Sequence, residues 1–145
     1  MKTLFTIGFT KKSAQDFFEM LTEAQIDIIV DIRLNNTGQL AGFTKKNDLQ
    51  YFLGLVEIGY EHWQEFAPTK EIFNKYRNDS NWEEYENSYR NLIEQRGVLD
   101  ELELSFFQYH NVCLLCSEPT PENCHRRIAA EMIAERIGNM QIIHL

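Results

Sequence analysis

No apolar run in the 145-residue chain approaches the roughly 20 residues needed to cross a bilayer. Residues 1–8 are apolar but lack the charged flank, longer apolar segment and small-residue cleavage site of a secretory signal. The expectation is a cytoplasmic protein without membrane attachment. Cysteine is scarce: three residues, Cys113, Cys116 and Cys124, with no export signal, suit free thiols in a reducing compartment better than a disulfide framework. Positive charge is also short. Lys and Arg number 14 against 22 Asp and Glu, for a formal net charge of -8, which argues against nucleic-acid binding through a general basic surface. Low-complexity linkers and internal repeats are missing too, so residues 1–145 read as a single domain.

What is present is an alternation of apolar strands and amphipathic helices. Residues 2–7 form a buried first strand ending at Gly8, followed by a turn and a helix capped by Ser13, with Ala14, Phe17, Phe18 and Leu21 on its apolar face. Residues 26–30 are apolar apart from Asp27, as a parallel strand covered on both sides would be, and run into Asp31-Ile32-Arg33. Residues 34–43 have loop composition. Asn47 or Asp48 caps a second helix with Leu49, Phe52, Leu53 and Val56 inward, and Gly59 stands where a C-terminal cap belongs. A short strand over residues 60–63 precedes a helix capped by Thr69 that carries Ile72, Phe73 and Tyr76 on one side. Another helix follows the polar break at residues 78–81, and its stripe of Trp82, Tyr85, Tyr89, Leu92 and Ile93 is a packing face. A short helix over residues 99–106, a strand over 112–116, a helix over 121–137 and a strand over 141–144 complete the chain. The pattern predicts an α/β fold of three layers: a mostly parallel sheet of about five strands with helices on both faces. Ligands of such sheets sit outside the carboxyl ends of the strands. That edge collects Gly8, Asp31, Arg33, His62 and residues 116–126.

The stretch from Cys113 to Arg127 carries the densest chemistry. Cys113 and Cys116 have zinc-knuckle spacing, but three residues along a strand they face opposite ways, so Cys113 reads as a small core residue. Cys116 stands at the strand end. Thr120, Pro121 and Glu122 resemble the opening of a helix, although Pro119 and Pro121 lack amide donors for an anion. Cys124 and His125 lie four residues before Ile128 and Ala129, which places them inward, towards Cys116, with the two sulfurs within about 7 Å. Arg127 pairs with Glu131 at the surface, leaving Arg126 as the working cation. Asp31 could orient His125, pair with Arg126, hold a ligand hydroxyl or form an ion pair with Arg33.

In these residues the sequence resembles the bacterial and archaeal family called domain of unknown function 488. The likeness rests on Thr6-Ile7-Gly8-Phe9, Val30-Asp31-Ile32-Arg33, Phe43-Thr44-Lys45, Gly59-Tyr60-Glu61-His62, Leu115-Cys116-Ser117-Glu118 and Cys124-His125-Arg126-Arg127. It implies a small cytosolic α/β protein with motif positions at Gly8, Asp31, Arg33, Cys116, Glu118, Cys124, His125 and Arg126, and it supplies no activity. The order of strand ends is also similar to that of rhodanese-like domains, an analogy that implies sulfur transfer.

Several functions fit. In the first, Cys116 or Cys124 is a thiolate, with His125 as acid or base, Asp31 as orienter, and Arg126, Arg33, Gly8 and Glu118 around a small polar or anionic ligand. In the second, the same residues bind a ligand or partner without turnover. In the third, Cys116, Cys124 and His125 hold a soft metal. No motif names a cofactor or an oligomeric state.

Overall fold

The computed structural model describes residues 2–37, 42–118 and 120–145. Five strands, β1 (Lys2–Gly8), β2 (Ile28–Asp31), β3 (Gly59–His62), β4 (Val112–Cys116) and β5 (Met140–His144), form one sheet in the order β3-β2-β4-β1-β5. All four pairings are parallel. Two apolar cores flank the sheet, as the alternation of side chains along each strand requires. On one face Ile7, Ile29, Cys113 and Leu115 meet α1 (Ala14–Glu23) and α2 (Lys46–Leu55) through Phe17, Leu21, Leu49 and Leu53. On the other, Leu4, Val30, Val112 and Leu114 meet α4 (Trp82–Arg96), the short α5 (Leu104–Tyr109) and α6 (His125–Ile137). The helix α3 (Lys70–Asp79) precedes α4 and contributes no fully buried residue. The architecture is the three-layer α/β fold, with a sheet that is parallel throughout. No described helix is long and apolar enough to cross a membrane.

Local signals set several boundaries. The side chains of Ser13, Thr69 and Asn81 accept from the amides of Asp16, Ile72 and Glu84 at the first turns of α1, α3 and α4, satisfying donors with no partner within the helix. Gly97, at φ 67, ends α4 in the left-handed conformation that glycine adopts without penalty.

Other expectations are corrected. Neither Asn47 nor Asp48 caps α2, which starts at Lys46 behind a Lys45 that forms no side-chain cap bond. Gly59 opens β3 and caps nothing, because α2 has already ended at Leu55. The helix expected over residues 99–106 is divided into a 3-10 turn, Val98–Glu101, and α5. Of the loop expected over residues 34–43, residues 38–41 lie outside the described residues, as does Pro119. The largest correction concerns α6. It begins at His125, not Pro121, and Thr120 is not its cap. Residues 120–124 make a turn instead, in which the Cys124 amide donates to the Pro121 carbonyl at 3.3 Å. Cys124 itself becomes the residue preceding the first turn of α6.

Candidate functional site

The connection leaving β1 leads to α1 on one face, and that leaving β4 leads to α6 on the other. Because β1 and β4 are neighbours, their carboxyl ends part into a crevice of the kind that ligands occupy in open parallel sheets. The Thr10 amide donates to the Ser117 carbonyl at 3.0 Å, tying the two loops together at its rim. Gly8 stands in register with Cys116. A Cβ there would overlap the Glu118 carbonyl oxygen and the Arg126 guanidinium, so glycine is required for close approach of three chain segments.

The polar residues of this edge fall into two clusters. Asp31 is in register with Leu115, and residues in register on parallel strands face the same way. Its carboxylate therefore points to the α1–α2 face, while Cys116, one residue further, points to the α4–α6 face. Asp31 accepts from Arg33 Nε at 2.9 Å and Nη2 at 2.8 Å, from the Arg33 amide at 3.1 Å and from the Tyr60 hydroxyl at 2.6 Å. Burial pushes its carboxyl up, but the Arg33 guanidinium and the Tyr60 hydroxyl outweigh burial and hold the pKa below the usual value. The Tyr60 phenol is raised in turn by burial and by its bond to Asp31. Asn36 Nδ2 lies 3.3 Å from the Tyr60 hydroxyl and from His62 Nδ1, which closes the cluster. Asp31 is thus the partner of Arg33, and it neither orients His125 nor pairs with Arg126.

The other cluster holds the sulfurs. Cys116 Sγ and His125 Nδ1 are 3.6 Å apart, and His125 Nε2 lies 2.7 Å from the Ile32 carbonyl. A carbonyl can only accept, so Nε2 carries hydrogen and Nδ1 is the nitrogen free to exchange a proton with the thiol. The place expected for Asp31 is taken by a backbone oxygen. Cys116 Sγ, Cys124 Sγ and a His125 nitrogen all lie within 4.8 Å of one another, well inside the expected sulfur spacing. Burial opposes ionisation of Cys116. The Cys124 thiol, the His125 ring and the Glu118 amide overcome that opposition and hold its pKa well below the ordinary thiol range. Burial and the adjacent Cys116 sulfur push Cys124 the other way, well above that range. For His125, burial favours the neutral ring, and the Cys116 sulfur more than offsets it, so its pKa is raised.

Arg126 is fully buried. Its Nε donates to Thr6 Oγ1 at 3.1 Å and its Nη1 to the Glu118 carbonyl. The Thr6 hydroxyl also lies 2.6 Å from His144 Nδ1, whose pKa is lowered by burial and by Arg126. No described carboxylate forms an ion pair with Arg126. Its Nη2, like Nη1 of the buried Arg33, has no hydrogen-bond partner among the described residues, and each such orphaned donor costs on the order of 1–3 kcal/mol. A cavity of about 350 Å³ opens over Cys116, Cys124 and His125, with Arg33 and Glu118 in its lining and Phe73, Tyr76, Trp82 and Tyr85 as an aromatic wall. Trp82 and Tyr85 stack at 5.0 Å. The Glu118 carboxyl is raised, first by burial and then by Cys116.

Reasoning from the sequence assembled Cys116, Cys124, His125 and Arg126 but missed four of the groups that fix the two clusters: Tyr60, Asn36, Thr6 and the Ile32 carbonyl. The alternation from Leu4 through Thr6 in β1 would have placed Thr6 on the face of α6. The stripe on α4 packs in the core through Tyr85, Tyr89 and Ile93 as expected, and Tyr85 also lines the cavity together with Trp82. Arg127 pairs with Glu131 at 2.6 Å as expected, and also with Glu86 at 2.7 Å. Cys113 stays away from the cluster, in the opposite core, where burial raises its thiol.

The three clustered ligand atoms are near enough to hold one soft ion. The carbonyl on His125 Nε2 resembles the outer partner that metal-bound imidazoles usually have. Three protein ligands would leave a fourth position open towards the cavity.

These features define a parallel three-layer α/β protein with a buried thiol–imidazole contact at its topological switch point. The sequence matches the family described as "Domain of unknown function DUF488" over residues 13–133, and the chain belongs to that family. Asp31, Arg33, Cys116, Glu118, Cys124, His125 and Arg126 fall within the matched span, and Gly8 precedes it. No curated protein and no solved structure gives a significant match, and the likeness to rhodanese-like domains gains no support.

Proposed function

We propose that this is a thiol-dependent site, in which Cys116 acts as a thiolate on a small polar or anionic ligand held in the cavity. The carrying observation is the 3.6 Å contact between Cys116 Sγ and His125 Nδ1, with the other ring nitrogen fixed on the Ile32 carbonyl. Such an imidazole takes the thiol proton, keeps it as an imidazolium beside the thiolate and returns it to a leaving group. Arg33 stands in the cavity lining with Nη1 unpartnered among the described residues, and that donor favours a ligand with an anionic acceptor. Glu118 contributes its carbonyl to Arg126 and its carboxyl to the cavity wall. Reducing conditions in the cytoplasm would keep both thiols available. Iodoacetamide labelling at about pH 6.5, two units below the free thiol pKa of about 8.5, tests the reading. Cys116 should react much faster than an unfolded peptide carrying the same cysteine, and uniformly slow labelling of all three cysteines would remove the thiolate.

A metal centre is the second reading, favoured by the mutual spacing of Cys116, Cys124 and His125 within 4.8 Å. Elemental analysis of protein purified without chelators separates the two. Zinc, iron or copper at about one ion per chain would establish the centre, and traces far below that would dismiss it. A non-catalytic binding module would show a reactive Cys116 and ligand retention without any product.

A further inference from the structure

The thiolate–imidazole reading gives Cys124 only the task of a hydrogen-bond donor to the Cys116 sulfur, which a hydroxyl would also perform. Its side chain is not needed to begin α6, because it forms no cap bond there, and Ser or Asn would serve better at that position. Yet it is buried, reduced and set beside Cys116. Both residues stand at the ends of elements, Cys116 as the last residue of β4 and Cys124 immediately before α6. A disulfide requires sulfurs about 2.05 Å apart. From within 4.8 Å that approach asks for movement only at the end of β4 and in the turn over residues 120–124, since neither cysteine belongs to the two apolar cores.

We propose that Cys124 is the resolving thiol of a two-cysteine reaction, and that the site reduces a small organic disulfide carrying a carboxylate. The proposal rests on the reading of Cys116 as the attacking thiolate. In the first step the Cys116 sulfur forms a bond to one sulfur of the substrate, whose S–S bond breaks. The departing thiolate takes the proton held by His125. The imidazole, now neutral, accepts the proton of Cys124, and the Cys124 sulfur attacks Cys116 Sγ of the mixed disulfide. The second half of the substrate leaves as a thiolate and is protonated in turn. Two thiols of the protein are oxidised to one disulfide, and one substrate disulfide is reduced to two thiols. A dithiol reductant closes the cycle by ordinary exchange.

A second thiol within reach is what distinguishes this chemistry from other uses of a thiolate. An acyl adduct on Cys116 is released by water or another external nucleophile and an alkyl adduct is not released at all, so neither requires a neighbouring sulfur. A mixed disulfide is released by that sulfur. The cavity suits such a ligand: the stacked Trp82 and Tyr85 offer an aromatic face, and Arg33, in the lining with Nη1 unpartnered among the described residues, favours a carboxylate.

The test uses the whole reduced protein with dithiobis(nitrobenzoate), an aryl disulfide carrying a carboxylate on each half, in the absence of air. Wild-type protein should release about two equivalents of thionitrobenzoate in its fast phase. It should finish two hydrogens lighter, without an adduct, and peptide mapping should find Cys116 joined to Cys124. Cys124→Ser and Cys124→Ala should each release about one equivalent and keep the other half of the reagent on Cys116. Cys113→Ser should behave as wild type. A wild-type product that retains the adduct on Cys116, with Cys124 still open to alkylation, overturns the resolving role while leaving the thiolate intact. Absence of any fast release from wild type overturns the thiolate reading, and the two-cysteine reaction with it. The mapped wild-type linkage decides the matter even where a variant folds poorly.

Discussion

Two polar clusters lie on opposite faces of the same sheet edge, and they differ in what they leave unsatisfied. Around Asp31 both carboxylate oxygens accept hydrogen bonds and the charge is balanced by Arg33. Around Cys116 a buried arginine, Arg126, has no ion-pair partner among the described residues, two sulfurs face one imidazole, and a cavity opens over the sulfurs and the ring. A buried ion pair whose charges balance within the chain holds the fold together, even with one Arg33 donor, Nη1, left without a hydrogen-bond partner among the described residues. An incomplete set of charges beside a cavity has a place for something else. Burial alone does not separate the two clusters, since Asp31 is as inaccessible as Arg126.

The sharpest way to break this contrast is Asp31→Asn. Arg33 would keep its burial and lose its counter-charge, and removal of one partner from such a pair costs about 3–5 kcal/mol. Urea unfolding at neutral pH should register that loss, while Cys116 alkylation in the folded variant should change little. The pH dependence has a definite sign. The folded-state pKa of Asp31 lies below its unfolded value, so its stabilisation is present above the unfolded pKa of about 3.9 and disappears as pH falls through the folded value. The gap between wild type and variant should therefore close in acid. A gap that persisted there, or a large fall in alkylation, would mean that the two clusters are one.

Cys116→Ser probes the open side. Fast labelling at about pH 6.5 should disappear, since serine offers no thiolate, and Cys113→Ser should leave it unchanged. These cysteines share a strand and near-complete burial, so the difference isolates their neighbours: hydrocarbon around Cys113, and a thiol, an imidazole and an amide around Cys116. Gly8→Ala acts on the crevice between the clusters. The new methyl would overlap the Glu118 carbonyl and Arg126, and such overpacking costs about 1–3 kcal/mol. Chemical denaturation should show that cost together with slower labelling of Cys116.

The sequence displayed the pieces of this edge more clearly than their grouping. Val112 to Cys116 reads as a buried strand because it is apolar throughout, and the fold agrees residue for residue. Likewise Asn81 and Gly97 mark both ends of α4. The facing of Asp31 was hidden because alternation gives the phase of one strand at a time. Only the pairing of Asp31 with Leu115 turns its carboxylate away from His125. The start of α6 was misread for a different reason. Thr120-Pro121-Glu122 has good helix-opening chemistry, but the chain must first bring the Glu118 carbonyl over Gly8 and return Cys124 to Cys116, so tertiary contacts override local preference. The inward direction of Cys124 and His125 survived that error, because Ile128 and Ala129 fix the buried face of α6 wherever the helix begins.

His125→Gln gives the smallest expected change and the most specific one. Glutamine can still donate to the Ile32 carbonyl, so the loop keeps a hydrogen bond, but it cannot take up a proton near neutrality. Cys116 would lose a positive neighbour and keep the Cys124 thiol and the Glu118 amide. Its labelling rate at about pH 6.5 should fall by about tenfold, equivalent to about 1.4 kcal/mol, a smaller loss than removing the sulfur. The pH profile separates this from a merely structural effect. In wild type, the lowered thiol pKa keeps the rate level from neutral into mildly acidic solution, and it declines only as pH falls through that pKa. In the variant, the decline should begin at a distinctly higher pH, with the two rates converging above the free thiol value of about 8.5. Structural damage to the pocket would instead lower the rate by a similar factor at every pH.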